Sequence, residues 1–257
     1  MPVFTRSNAA APQPALPPMD ELLSSESLVP HFQAIVNLGG RPGVHGYEAL
    51  ARFGDGRLGI EPASLFEYAR LCGRVGDLEL ACMGRTFRQM HLLDPCAKLF
   101  VNLHPAALLG GEEFAADVIE MADAHGVDCS RLVIEITEQD HFPLCDAAFR
   151  AIGMLRACGA FFALDDVGVS YSHLDRLVWI QPQYLKISAH FGTGFEGDAT
   201  RRKIVRNIVA LAHDFECAIV LEGVETAATS LAAARLGAAF AQGFFYARPA
   251  PIRIVCE

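Results

Sequence analysis

This sequence has little positive charge overall, no closely paired cysteines and no apolar run long enough to span a bilayer. Its 21 Lys and Arg are outnumbered by 30 Asp and Glu, leaving a net charge of −9. That argues against a nucleic-acid polymer as partner, because phosphate backbones are held by clustered cations. The eight cysteines, Cys72, Cys82, Cys96, Cys129, Cys145, Cys158, Cys217 and Cys256, show neither zinc nor redox spacing. Each sits in an apolar or helical stretch, so we expect reduced core thiols. The chain does not open on a basic segment followed by an apolar run, which removes the expectation of a signal peptide. A soluble cytoplasmic protein without a membrane partner is the expectation. The nine histidines form no His-Glu-x-x-His pattern, and no glycine-rich dinucleotide turn follows a strand. His213-Asp214 reads as an exposed helix face rather than a metal pair.

The chain has 257 residues, 52% of them hydrophobic, enough for one barrel without disulfide or metal staples. Residues 1–20 are expected to form a flexible tail, rich in Ala and Pro as far as about Pro18, and residues 21–257 a single domain. Short β-branched or aromatic runs then alternate with helical stretches. Runs at Pro30–Val36 and Val44–Phe53 flank a Gly-Gly-Arg-Pro-Gly turn, too short for a crossover helix, and predict an antiparallel hairpin. Further strands are predicted at Lys98–Leu103, Leu132–Thr137, Phe161–Asp165, Tyr184–Ile187, Ala218–Glu222 and Phe240–Gln242. Helices are predicted near Pro62–Cys72, Gly76–Leu93, Glu113–His125, Asp146–Cys158, Thr200–Phe215 and Thr226–Leu236, with a long loop before Tyr184. Eight strands with helices between most of them predict an α/β fold, a TIM-like (β/α)8 barrel with an antiparallel first strand. An open doubly wound sheet is the alternative.

The polar residues recur at strand ends: Glu48, Asn102, Glu135, Asp165 with Asp166, Lys186, Glu222 and Gln242. In a barrel these share one mouth. Singly, each has an ordinary explanation: a sheet-edge Glu, an Asp-Asp turn before glycine, a solvated lysine. Together they would gather five carboxylates in one place, which is costly unless they are paired or bind metal. Oxygen ligands favour two ions of Mg²⁺ or Mn²⁺ over zinc.

At these residues the chain resembles the EAL-domain family of cyclic di-GMP phosphodiesterases. The resemblance covers nearly all of Leu22 to Pro251. Its segments are Tyr47-Glu48-Ala49-Leu50-Ala51-Arg52, Val101-Asn102-Leu103, Glu135-Ile136-Thr137-Glu138, Leu164-Asp165-Asp166, Leu185-Lys186-Ile187, Glu222-Gly223-Val224-Glu225-Thr226 and Gln242-Gly243-Phe244-Phe245. The resemblance implies that Glu48, Asn102, Glu135 and Asp165 hold one metal ion, and that Asp165, Asp166 and Glu222 hold a second. It implies that Lys186 orients the attacking water and that Glu222 is a candidate for proton transfer. Gln33 matches a position near a guanine and Arg52 one near a phosphate. Leu50 and Gln242 line the substrate, with Glu138, Glu225 and Gln242 in support. It also implies hydrolysis to linear pGpG, a homodimer, a possible regulatory protein partner and a bacterial signalling role tied to biofilm.

The chain departs from the family pattern at Val169 and Ser170 in the loop after Asp166, at Ser188 after Lys-Ile, at Ala34 after Gln33 and at Arg70. These departures keep a second reading open, a cyclic di-GMP receptor or protein-interaction module with little or no hydrolysis. A third reading, a Mg²⁺-dependent barrel enzyme acting on a sugar phosphate, requires a phosphate-binding glycine loop at Gly223 or Gly243.

Overall fold

The computed structural model describes residues 16–24, 26, 28–40, 42–53, 61–136, 145–168 and 173–252. Eight strands close into a barrel in sequence order: β1 (Leu28–Asn37), β2 (Val44–Phe53), β3 (Lys98–Leu103), β4 (Leu132–Ile136), β5 (Phe161–Val167), β6 (Tyr184–Ile187), β7 (Ala218–Leu221) and β8 (Phe240–Gln242). β1 runs antiparallel to both β2 and β8, and every other neighbouring pair is parallel. Gln33 faces Glu48 across the hairpin, and Asn102 faces Glu135 between β3 and β4.

The helices are α1 (Met19–Ser24), α2 (Pro62–Leu71), α3 (Val75–Phe87), α4 (Gly111–Ala124), α5 (Asp146–Ala157), α6 (His173–Ile180), α7 (Ala189–Gly192), α8 (Ala199–Asp214) and α9 (Ala227–Leu236). α1 begins inside the segment read as tail, and its Met19 is buried. The predicted long loop before Tyr184 contains α6. Its buried residues Leu177 and Ile180 mark one short face, while Val178 and Trp179 are exposed, so the helical period is weak in the sequence. The predicted helix Gly76–Leu93 divides into α3 and a separate 3-10 turn, Met90–Leu92.

Two apolar layers hold the barrel. The outer one lies between strands and helices. The inner one comprises Ile35, Phe100, Val133, Ala163, Tyr184 and Val220. On β3 to β7 the site residue stands two positions beyond its member of that layer: Phe100 then Asn102, Val133 then Glu135, Ala163 then Asp165, Tyr184 then Lys186, and Val220 then Glu222. Because side chains alternate faces, a step of two keeps the same inward direction and moves one layer toward the C-terminal rim. The apolar plug thus floors a polar site.

The cysteine expectation needs correction. The seven described cysteines are free, and Cys82, Cys129, Cys145, Cys158 and Cys217 pack half-buried against the core, but Cys72, at the end of α2, and Cys96, in the loop before β3, are exposed. Cys256 lies outside the described residues. Among those residues, no helix is long and apolar enough to cross a membrane.

Candidate active site

Lys186 is the centre of the rim. Its side chain is 1% exposed, and its Nζ lies 3.3 Å from Glu48 Oε2, 2.9 Å from Glu135 Oε1, 3.2 Å from Asp165 Oδ1 and 2.8 Å from Glu222 Oε1. Four carboxylates from β2, β4, β5 and the end of β7 thus surround one ammonium. Glu48 is further held by the Asn102 amide at 2.8 Å and by Gln242 Nε2 at 2.7 Å. Gln242 Nε2 also donates to Gln33 Oε1 at 2.9 Å, and Gln33 donates to the Ala247 carbonyl at 2.9 Å. This chain of amides links β1, β8, β2 and β3 beneath the mouth.

The charges do not balance. Desolvation raises the pKa of Glu135 well above the usual carboxylate value, and neighbouring Glu48 and Asp165 add to the rise against the pull of Lys186. Desolvation also raises Asp165, and it carries Glu222 to about 8. Glu48 is equally desolvated, but Lys186 and the two amides overcome that and lower its pKa. Lys186 is itself desolvated, yet the four carboxylates hold it well above its ordinary value. One cation cannot satisfy the set: Glu135 Oε1 and Asp165 Oδ1 approach the ammonium without accepting a hydrogen bond, and Gln242 Oε1 elsewhere in the network also accepts none.

The mouth above the cluster is a cavity of about 420 Å³ lined by Gln33, Leu50, Asp166, Glu225 and Phe244, among others. Asp166 is exposed, has a left-handed φ of 56° and stands outside the Lys186 cluster. The strand pairing shifts register between Leu164 and Val167, which turns Asp165 inward while its neighbour faces out. Arg52 is half-buried and donates to the Ala51 carbonyl at 2.9 Å. Glu225 is exposed at the mouth. Glu138, Val169 and Ser170 lie outside the described residues.

Three residues at the site had no assigned part in the sequence reading. Ser188 caps α7, its hydroxyl facing His190 N–H at 3.4 Å, and Thr193 Oγ1 donates to the Gly223 carbonyl at 3.2 Å. Phe244 is exposed at the mouth with the Arg248 guanidinium 4.2 Å from its ring centroid. A small polar residue directly before a helix is a capping signal, and it could have identified Ser188. The two glycines have packing explanations. A Cβ on Gly223, whose φ is +68°, would lie 2.6 Å from Thr193 Oγ1, and one on Gly243 would lie 2.0 Å from the Val224 carbonyl oxygen.

Among the described residues, no three Asp, Glu, His or Cys side chains converge on one coordination point. The ammonium fills the centre instead. The oxygen-rich donors, the surplus of carboxylates over the one ammonium and the two carboxylate oxygens that accept no hydrogen bond nevertheless fit a hard divalent cation.

A closed barrel with one antiparallel strand and an acidic, lysine-centred rim belongs to the barrel proteins that place polar chemistry at the C-terminal ends of their strands. The EAL domain family model matches residues 19–249, and the chain belongs to that family. It is 30% identical over 225 residues to the cyclic di-GMP phosphodiesterase RocR of Pseudomonas aeruginosa, covering 86% of this chain and 57% of RocR. It is 28% identical over 234 residues to the probable cyclic di-GMP phosphodiesterase PdeG of Escherichia coli, covering 88% of this chain and 45% of PdeG. The chain thus spans about half the length of these curated relatives. Among solved structures, the phosphodiesterase PaMucR in complex with c-di-GMP superposes with a TM-score of 0.76 at 31% identity, covering 88% of this chain and 98% of that one. The manganese/cy-diGMP complex of Klebsiella pneumoniae BlrP1 at pH 9.0 gives 0.77 at 26% identity, covering 89% and 57%.

Proposed function

We propose that this chain hydrolyses cyclic di-GMP to linear pGpG. The observation that carries the proposal is the ring of Glu48, Glu135, Asp165 and Glu222 about Lys186, in which one oxygen each of Glu135 and Asp165 accepts no hydrogen bond. Glu48, Asn102, Glu135 and Asp165 would hold one Mg²⁺ or Mn²⁺, and Asp165, Asp166 and Glu222 would hold a second. Divalent cations in such a site supply Lewis acidity and neutralise phosphate charge. Lys186 would orient the attacking water, and Glu222, whose raised pKa a bound cation would bring back down, would accept its proton. The water oxygen bonds to phosphorus as the P–O3′ bond breaks, and a proton returns to the leaving 3′ oxygen. Arg52 meets charge developing on the phosphoryl oxygens. Gln33 faces a guanine, with Leu50 and Gln242 lining the nucleotide and Glu138 and Glu225 in support. The working unit is a homodimer, a reading supported by exposed Val178 and Trp179 on α6.

The test is incubation of the purified chain with cyclic di-GMP and Mg²⁺ or Mn²⁺, with pGpG followed by chromatography. Turnover that Glu48→Ala abolishes is expected. Tight nucleotide binding without product in either metal contradicts hydrolysis and leaves the receptor reading.

A further inference from the structure

Outside the barrel wall, α2 and α3 do not pack flush against β1 to β3. Between them lies a cavity of about 240 Å³, walled by Leu28, Pro30, Ala49, Ala51, Phe66 and Met83. Ala49 and Ala51 alternate along β2 with Glu48, so the body of the cavity lies behind the strand face that carries the acidic rim. The small side chains leave the space, and it exceeds the roughly 150 Å³ apolar cavity that accepts benzene.

Glu79 of α3 lines this cavity and is 2% exposed. One of its oxygens accepts the His104 backbone N–H at 2.5 Å, and the other has no hydrogen-bond partner among the described residues. Polar neighbours are engaged with backbone carbonyls: Arg85 donates to Ala81 and Leu23, and Thr86 to Cys82. We propose that this cavity binds an uncharged, mainly apolar small molecule the size of an aromatic ring, whose single hydroxyl or carbonyl group pairs with the Glu79 carboxyl. A charged ligand is disfavoured because the apolar walls cannot replace its hydration. Desolvation lifts the pKa of Glu79 to about 8, so its carboxyl retains a proton to donate at neutral pH. Leu50, Arg52 and Asn102 line the end of the cavity nearest the rim, which makes independence from the nucleotide site part of the test.

The experiment titrates benzyl alcohol, and separately toluene, into the full chain labelled at its methionine methyl groups. The Met83 signal is read by NMR and assigned with Met83→Leu. We expect a saturable Met83 shift, with toluene binding about five-fold more weakly, the worth of one hydrogen bond. Glu79→Leu should erase the difference between the probes. Ala63→Phe, at an exposed α2 position on the cavity lining, should abolish binding of both. Saturating cyclic di-GMP should leave the shift unchanged. A shift that does not saturate, or that survives Ala63→Phe, overturns the site. Equal affinity for the two probes overturns the role of Glu79, a result that needs no variant to fold. Displacement by cyclic di-GMP makes the cavity an arm of the nucleotide site and overturns it as a separate one. None of these readouts depends on turnover.

Discussion

At the residue scale, Lys186 and Glu79 show opposite ways of burying an ionisable group. Lys186 is surrounded by opposite charge, and removing it strands four carboxylates in a desolvated site. Lys186→Met should therefore lower stability by about 3–5 kcal/mol at neutral pH in metal-free buffer. The deficit should shrink toward acid pH, where the carboxylates protonate, as urea denaturation at two pH values would reveal. Glu79 has no cation to hold its charge and is neutral in the fold up to about pH 8, whereas its ordinary value is 4.5. Between those values the unfolded chain has released the proton and the folded chain has not. Stability from this group is therefore constant below the window, falls as pH rises through it, and levels off above. Relative to Glu79→Gln, the native chain should lose up to about 1.4 kcal/mol per pH unit across that range. A pH-independent difference between the two would contradict the burial argument.

At the element scale, the strands carried most of their meaning openly. Apolar runs locate all eight, and the short Gly-rich turn between β1 and β2 requires the antiparallel pairing that the hairpin shows. The rim was legible because Asn102, Glu135, Asp165 and Lys186 interrupt otherwise apolar strands. α6 was not legible, since Leu177 and Ile180 are buried among its described side chains while the apolar Val178 and Trp179 between them are exposed. Glu79 was overlooked for a related reason: one acidic residue in an amphipathic helix reads as solvated. Its place beside Leu78 and four residues before Met83, on the buried face, was the available signal. Two glycines test how far packing fixes these elements. Gly243→Ala places a methyl 2.0 Å from the Val224 carbonyl oxygen, so the variant should be insoluble or melt far below the native chain. Gly153→Ala, on the exposed face of α5 with nothing within 4 Å, should stabilise by about 0.5–1 kcal/mol in the same thermal melt.

At the scale of the whole molecule, a chain of net charge −9 gathers its densest negative charge where a phosphate ester would have to bind. Divalent cations would resolve that conflict under the proposed function, and the barrel brings the candidate donors together from strands far apart in sequence, Glu48 and Glu222 among them. Sequence alone misplaced Cys72 and Cys96, because apolar neighbours do not report which helix ends and loops face solvent. The direct test of the rim is a titration of the purified chain with Mn²⁺, followed by the loss of the free-ion electron paramagnetic resonance signal. Saturable binding that Glu135→Gln weakens and Asp165→Asn removes is the predicted result. Absence of saturable binding, with or without cyclic di-GMP, or equal uptake by all three proteins, would contradict a divalent-cation site at Lys186.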